Sequence, residues 1–142
     1  MCGTNDLRPG GQPPDIDGLV RTYSGKISEI KRLNPNSKVF VFPVLPTRDF
    51  DMNKFVMMFN RRMGAWIKHS GDNSVSFPPM YEFLDSKGLL ALPLTRNGDS
   101  IHLGKRGLGL LVSIIKKLTY SGLERPATRQ QRTRDAGGLK PA

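Results

Sequence analysis

From Ile16 onward the apolar positions fall at steps of three and four: Ile16, Leu19, Val20, Tyr23, Ile27, Ile30 and Leu33. That spacing draws one stripe along a helix, with Arg21, Lys26, Glu29 and Lys31 mostly off it. Asp15 is placed to cap its start, and Asn34-Pro35 stops it. Ahead of the stripe, Gly3, Pro9, Gly10, Gly11, Pro13 and Pro14 oppose regular structure, so residues 1–14 read as a loop. After it, Val39-Phe40-Val41-Phe42 is an unbroken apolar, β-rich run. Continuous burial without alternation is the mark of a central parallel strand. Helix, turn and such a strand make half of an α/β crossover unit.

Pro43 and Pro46 end the strand, and Thr47 to Phe50 form a loop at its C-terminal end. A second helix is predicted from about Asp51 to His69. Its buried face is Phe55, Met58, Phe59, Met63, Trp66 and Ile67, its outer face Lys54, Arg61, Arg62 and Lys68, and Gly71 lies in the C-cap region. Val75 to Phe77 is a short strand. Pro78-Pro79 opens a long irregular segment up to Leu103, with Tyr81, Phe83 and Leu84 expected to pack down. A loop of that length inside a compact domain is usually functional. A last helix is predicted from Lys105 to about Tyr120, with Leu108, Leu111, Ile115 and Leu118 on one face and Lys116 and Lys117 in its final turn, where cations suit the macrodipole. There is no internal repeat.

Loop, helix, strand, helix, short strand, long loop, helix is an α/β order with too little sheet. Two parallel strands bury little, and the inner one exposes an unpaired edge. Three amphipathic helices call for a wider sheet. A short sheet with an exposed edge at the strand holding Val39 is therefore expected, open to association through that edge.

The length of 142 residues suits one domain, here 1–121, followed by a basic tail, 122–142, that is polar, aperiodic and expected to be disordered. The tail carries Arg125, Arg129, Arg132, Arg134 and Lys140 against Glu124 and Asp135. The net charge of +10 is otherwise spread along helix faces. Such a field attracts nucleic acid weakly and without sequence preference, and a solvated basic surface is the simpler account. The longest apolar stretch, Leu108 to Ile115, is too short to cross a bilayer, and the apolar face of the last helix suits packing on a sheet better than a membrane. The start shows neither a basic region nor an apolar run, so an intracellular location is expected. The single Cys2 forms no internal disulfide, which fits a reducing compartment.

Two short constellations carry chemistry. His69, at a helix end beside Lys68 and Ser70, reads as a surface histidine. His102 sits in the long loop just before the last helix, in Gly98-Asp99-Ser100-Ile101-His102-Leu103. In a tight turn, the carboxylate of Asp99 can accept from the imidazole Nδ1–H, leaving Nε2 as a general base. The second constellation is Gly3-Thr4-Asn5-Asp6-Leu7, which alone reads as a turn.

In this order and separation the two resemble the SGNH hydrolases, the GDSL esterases and lipases. Gly3-Thr4-Asn5-Asp6 is similar to that family's third block and Asp99-Ser100-Ile101-His102 to its fifth, with Asn34 to Pro46 and Phe59-Asn60 similar to the stretches between. The resemblance covers about Gly3 to Tyr120. It implies a truncated flavodoxin-like three-layer fold, with part of the parallel sheet missing and the site at the strands' C-terminal ends. It implies catalytic roles for His102, Asp99 and Asn5: Asn5 donating to an oxyanion beside the motif glycine Gly3, His102 activating a serine, and Asp99 orienting His102. Asp6 takes a structural role, the substrate is an acyl ester, and no cofactor or metal is implied.

One departure changes the picture. The blocks that bear the nucleophilic serine and an oxyanion-hole glycine precede the Gly-x-Asn-Asp block in the family, and here that block begins at Gly3. Gly98-Asp99-Ser100 spells the nucleophile motif, but it lies inside the histidine block with no strand before it, so Ser100 is a poor nucleophile, and Cys2 is no better placed. The expectation is an esterase-like portion inactive alone, or one completed in trans by β-addition at Val39–Phe42. The alternative is a basic nucleic-acid-binding or interaction module. Because related esterase-like domains occur in retrotransposon-encoded proteins, a retroelement origin is compatible with the basic tail.

Overall fold

In a computed structural model the chain is described at residues 5–8 and 10–121. The first helix, α1, spans Ile16–Leu33. Asp15 caps it as its sequence position implied, Oδ1 accepting from Gly18 N–H at 2.9 Å. Asn34 ends it, with its N–H on the Ile30 carbonyl. Lys31 then donates to the carbonyls of Pro35 and Ser37 at 2.6 and 2.7 Å, tying down the turn that leads into the sheet. Before α1, Asn5–Leu7 forms a single 3-10 turn whose Leu7 is buried. The other residues expected at the extremes, Met1 to Thr4 and the tail 122–142, lie outside the described residues.

The sheet has two parallel strands, β1 (Val39–Phe40) and β2 (Val75–Ser76), with Val39 opposite Val75 and Phe40 opposite Ser76. Val39 and Val41 donate to the Ser74 and Ser76 carbonyls, both at 2.8 Å. The short sheet agrees with the expectation, but full burial of Val39–Phe42 does not hold. All four residues are half-buried or exposed, Phe42 reaching 36%. Among the described residues only one strand neighbours β1, so the edge-on-edge packing that would bury it is half supplied.

The second helix, α2, runs Phe50–Ser70, with Asp49 accepting from Met52 N–H at 2.9 Å and Gly71 closing it at φ 67°. That left-handed turn is why a glycine stands there. Its buried stripe is Met52, Val56, Phe59, Met63 and Ile67, joined by Asn53. Met58, predicted on the buried face, is exposed. Met57, Met58 and Phe59 are consecutive apolar residues, and periodicity alone leaves the centre of the stripe free to rotate by one residue among them. The helices α1 and α2 pack on each other through Tyr23 and Phe59, whose rings meet edge to face at 5.4 Å. Around this contact gather Leu7, Ile27, Val44, Val56, Met63 and Val75.

Beyond β2 the chain makes two further 3-10 turns, Tyr81–Phe83 and Leu92–Leu94, and single antiparallel bridges join Leu84 to Leu90 and Thr95 to Leu103. Phe83 is fully buried as expected, whereas Tyr81 stands 75% exposed. Helix α3 spans Lys105–Ser121. The chain divides into two compact units, Met1–Leu108 and Gly109–Ala142, so α3 begins in the first, and in the second its residues Gly109–Ser121 are the described part. Of its predicted buried face, Leu108 and Ile115 are exposed. No described helix is long and apolar enough to cross a membrane.

Candidate active site

The path from β1 to the histidine is held by two side-chain amides, the half-buried Asn60 and the buried Asn53. Val44, just past the strand, is buried and has both its backbone groups on one side chain. The Asn60 amide accepts from Val44 N–H at 2.9 Å and donates to its carbonyl at 2.8 Å. Three residues on, the buried Thr47 N–H donates to Asn53 Oδ1 at 3.0 Å, and Asn53 Nδ2 reaches the Gly88 carbonyl. A loop interior carries unpaired main-chain groups, so a helix that offers asparagines to it fixes where it goes.

Arg48 carries the connection onward. Its guanidinium donates to the Leu90 carbonyl at 2.7 Å and to Asp85 at 3.2 Å, and its backbone N–H donates to the Ser100 carbonyl at 2.7 Å. The Asp85 carboxyl lies below the usual carboxylate range, first through the Leu89 N–H and then through those of Lys87 and Arg48, against a contribution from burial that raises it. One residue thus joins the loop after β1, the 85–90 turn and the segment bearing His102.

That segment is a closed hairpin. Thr95 pairs with Leu103, Arg96 N–H donates to the His102 carbonyl, and Asp99 N–H donates to the Arg96 carbonyl. Gly98 takes φ 72° at the turn, a conformation that favours glycine. Gly104 lies so close to Thr95 that a Cβ there would sit 2.5 Å from the Thr95 carbonyl oxygen.

Inside the hairpin, Asp99 Oδ1 accepts from the N–H groups of Ile101 and His102 at 2.7 and 2.9 Å. Its Oδ2 lies 2.6 Å from His102 Nδ1. An ionised carboxylate only accepts, so Nδ1 carries the proton, and in the neutral ring Nε2 then has the free lone pair. The His102 N–H, then the Ile101 N–H, then the imidazole hold the Asp99 carboxyl down at about 2. The imidazole is 71% exposed, and among the described residues no hydrogen bond joins it to Ser100 Oγ. This arrangement can take a proton from an incoming hydroxyl and stabilise the imidazolium that results.

Asn5 is exposed at the head of its 3-10 turn, and Leu7 in that turn belongs to the same core as Val44 and Val56. Among the described residues no hydrogen bond joins Asn5 to the His102 hairpin. Asp6 accepts from the Tyr23 hydroxyl at 3.4 Å, and Gly3 lies outside the described residues. His69 donates from Nδ1 to the Ala65 carbonyl one turn back, an ordinary helix-end contact.

Arg48, Asn53 and Asp85 lie outside both sequence constellations, and Asn60 enters only within Phe59-Asn60, because each acts through contacts with residues distant in the chain. The available signal was a buried-face register on α2 that includes Asn53, and an arginine in the loop that follows the first strand. Among the described residues, no cluster of three or more histidines, cysteines or carboxylates is placed to hold a metal.

No protein-family model matches the chain, and no curated protein matches it. Solved structures do. One is a protein of Streptococcus pneumonia proposed to be a platelet activating factor, at TM-score 0.67 and 21% identity, covering 84% of this chain and 57% of that one. Another is the esterase domain of the ORF1 protein of the zebrafish ZfL2-1 retrotransposon, at TM-score 0.61 and 19% identity, covering 75% of this chain and 60% of that one. The likeness shows that this chain shares the fold of these two structures over the matched length. The chain spans about three fifths of the length of each structure.

Proposed function

We propose that this chain is the acid–base portion of an SGNH-type ester hydrolase, with Asp99 and His102 as its proton-handling pair and Asn5 as an oxyanion donor. The observation that carries the reading is the Asp99–His102 contact in a hairpin whose backbone pre-sets it. In the reaction, His102 Nε2 removes the proton of a nucleophilic hydroxyl as its oxygen attacks the acyl carbonyl. Asp99 stabilises the imidazolium, and Asn5 Nδ2 donates to the oxyanion. His102 then protonates the departing alkoxide, and water, activated in the same way, releases the acid.

The nucleophile comes from outside the described residues, because Ser100 lies inside the hairpin beside the carboxylate and its Oγ has no bond to His102. The three-layer, flavodoxin-like completion of the sheet, with the site at the strand ends, belongs to the same reading. The likeness to the zebrafish structure, an esterase domain of a retrotransposon protein, is compatible with a retroelement origin.

The test is two-part. Imidazole nitrogen spectra of the full chain should show His102 protonated at Nδ1, with that preference lost in Asp99→Asn. A fluorophosphonate, which marks activated serines, should label nothing. Labelling at Ser100 that disappears in His102→Ala would overturn the assignment of the nucleophile. A His102 ring indifferent to Asp99→Asn would overturn the pair itself.

A further inference from the structure

The hairpin that carries His102 carries a second polar side chain on the same face. Thr95 pairs with Leu103, so the next pair toward the turn sets Arg96 opposite His102, and the Arg96 N–H donates to the His102 carbonyl at 3.0 Å. Residues opposed across two antiparallel strands send their side chains to one side, with Cβ atoms about 4.5–5.5 Å apart. Leu103 marks the inner side, being buried, and Arg96 and His102 are both exposed on the outer one. Arg96 thus rises from the hairpin beside the imidazole.

What Arg96 lacks is a counter-charge. Asp99 is engaged by the imidazole and by two backbone amides. Asp85 is engaged by Arg48 and by the amides of Lys87 and Leu89. Among the described residues the Arg96 guanidinium has neither a hydrogen bond nor an ion pair, and the same holds for the side chains of Lys105 and Arg106, the first two residues of α3. Between residues 95 and 106 the chain carries three such cations against one carboxylate, and that carboxylate is spent on His102. Like charges directly opposed across two strands repel. A cation beside the ring that takes up the proton is therefore a handicap with a neutral substrate and an advantage with one that brings an anion. A guanidinium offers a fixed fork of N–H donors that fits two oxygens of one carboxylate or phosphate.

We propose that Arg96 is a specificity-determining residue of the candidate esterase site, binding an oxyanion, carboxylate or phosphate, that the substrate carries a few bonds from its scissile acyl carbon. This rests on the reading of Asp99 and His102 as the acid–base pair and adds a substrate class to it, acidic esters rather than neutral ones. The two side chains leave the hairpin one strand spacing apart, about 4.7–4.9 Å, a distance that a chain of about four bonds spans. Lys105 and Arg106 act at longer range, drawing the anion toward the hairpin without holding it.

The test follows the full chain by nitrogen spectra of the His102 ring and the Arg96 Nε–H group, with three acetate esters as probes. One, 3-acetoxypropanoate, carries a carboxylate; 2-acetoxyethyl phosphate carries a phosphate; ethyl acetate is uncharged. An acidic ester should shift both groups together and saturate at a concentration about fivefold or more below any response to ethyl acetate. Whichever acidic ester binds more tightly identifies the oxyanion. Arg96→Gln leaves the backbone bond to His102 in place, so it should keep the proton on Nδ1 and the thermal unfolding midpoint while weakening the acidic ester about fivefold or more. Arg96→Lys, which retains the charge and loses the fork, should recover part of the affinity. Lys105→Gln and Arg106→Gln should each weaken binding less than Arg96→Gln. The assignment is overturned if the acidic esters bind no more tightly than ethyl acetate, or if they shift Arg96 without the ring. A loss in Lys105→Gln as large as in Arg96→Gln overturns it as well, since the attraction then belongs to the diffuse charge. Asp99→Asn separates the two readings. A ring indifferent to it refutes the acid–base pair, whereas a ring that responds to Asp99→Asn, with ester binding indifferent to Arg96→Gln, refutes the role of Arg96 alone.

Discussion

Replacing Asn60 by alanine should loosen the approach to the candidate site more than any single surface change. Two hydrogen bonds vanish together, and both end on the backbone of Val44, which is 8% exposed. Its N–H and C=O have no other partner among the described residues. A buried polar group left unpaired costs about 1–3 kcal/mol, and a water entering the vacated space recovers part of it, so the pair should cost about 2–4 kcal/mol. Asn60→Asp sharpens the test. The carboxylate keeps the acceptor for Val44 N–H but sets a second oxygen against the Val44 carbonyl, so it should be no milder than alanine above pH 5. Urea unfolding of the full chain, with the slope checked for constancy, measures the loss. Amide exchange at Val44 should accelerate in step with it, and the Arg48 amide, four residues on, should follow through its bond to Ser100. A loss below about 0.5 kcal/mol for Asn60→Ala, the size of an ordinary surface substitution, would refute the claim that α2 holds this loop through one side chain.

Further outcomes follow from the same contacts. The Asp99 carboxyl should titrate with a midpoint of about 2 in carbon spectra. Because this value lies below the ordinary 3.8, the contribution of Asp99 to the hairpin is full above the unfolded value and lost as pH falls through about 2. In Asp99→Asn the acid-induced loosening of Ile101 and His102 amides should disappear. Gly104→Ala should destabilise by about 1–3 kcal/mol, since the new methyl meets a carbonyl oxygen of the backbone at 2.5 Å, and thermal unfolding reads it. Asp49→Ala removes the cap on Met52 N–H and should cost about 1 kcal/mol in urea. Binding of a random-sequence duplex, if the +10 charge produces any, should fall steeply between 50 and 200 mM salt as roughly expected for counterion release. A salt-insensitive affinity would instead indicate a built nucleic-acid site.

The helices were legible because their signals are local. Asp15 precedes one apolar stripe and Gly71 follows another, so caps and period agree and the observed boundaries depart by a residue or two, whereas the cap at Asp49 emerged only from the structure. The Asp99–His102 pair was legible for the same reason, its whole geometry being contained within five residues and closed by Gly98. Other features depend on partners far along the chain. Nothing near Asn60 in sequence announces that it will pair with Val44, and nothing near Arg48 points to Leu90 or Ser100. Tyr81 illustrates the limit in the other direction. It sits in the same apolar cluster of letters as Phe83, but in a 3-10 turn residues two apart point to different sides, and Phe83 took the buried one.

The Val39–Phe42 run shows why sequence and structure differ where they do. Four consecutive apolar residues encode a strand covered on both faces and flanked on both edges. In the structure, Val39 and Val41 pack against the core, Phe42 is 36% exposed, and among the described residues one edge has β2 while the other has no strand. Ile30 and Leu33 on α1, at 45% and 61% exposure, continue the stripe whose other members are buried or half-buried. Part of this apolar exposure gathers in one place, since Ile30 and Phe42, with the half-buried Phe40, line one cleft beside β1. Exposed single hydrophobic residues need no explanation, whereas a contiguous set beside unpaired strand amides is a template for pairing. The half-buried strand and the cleft under α1 both lie where, among the described residues, β1 has no second strand beside it.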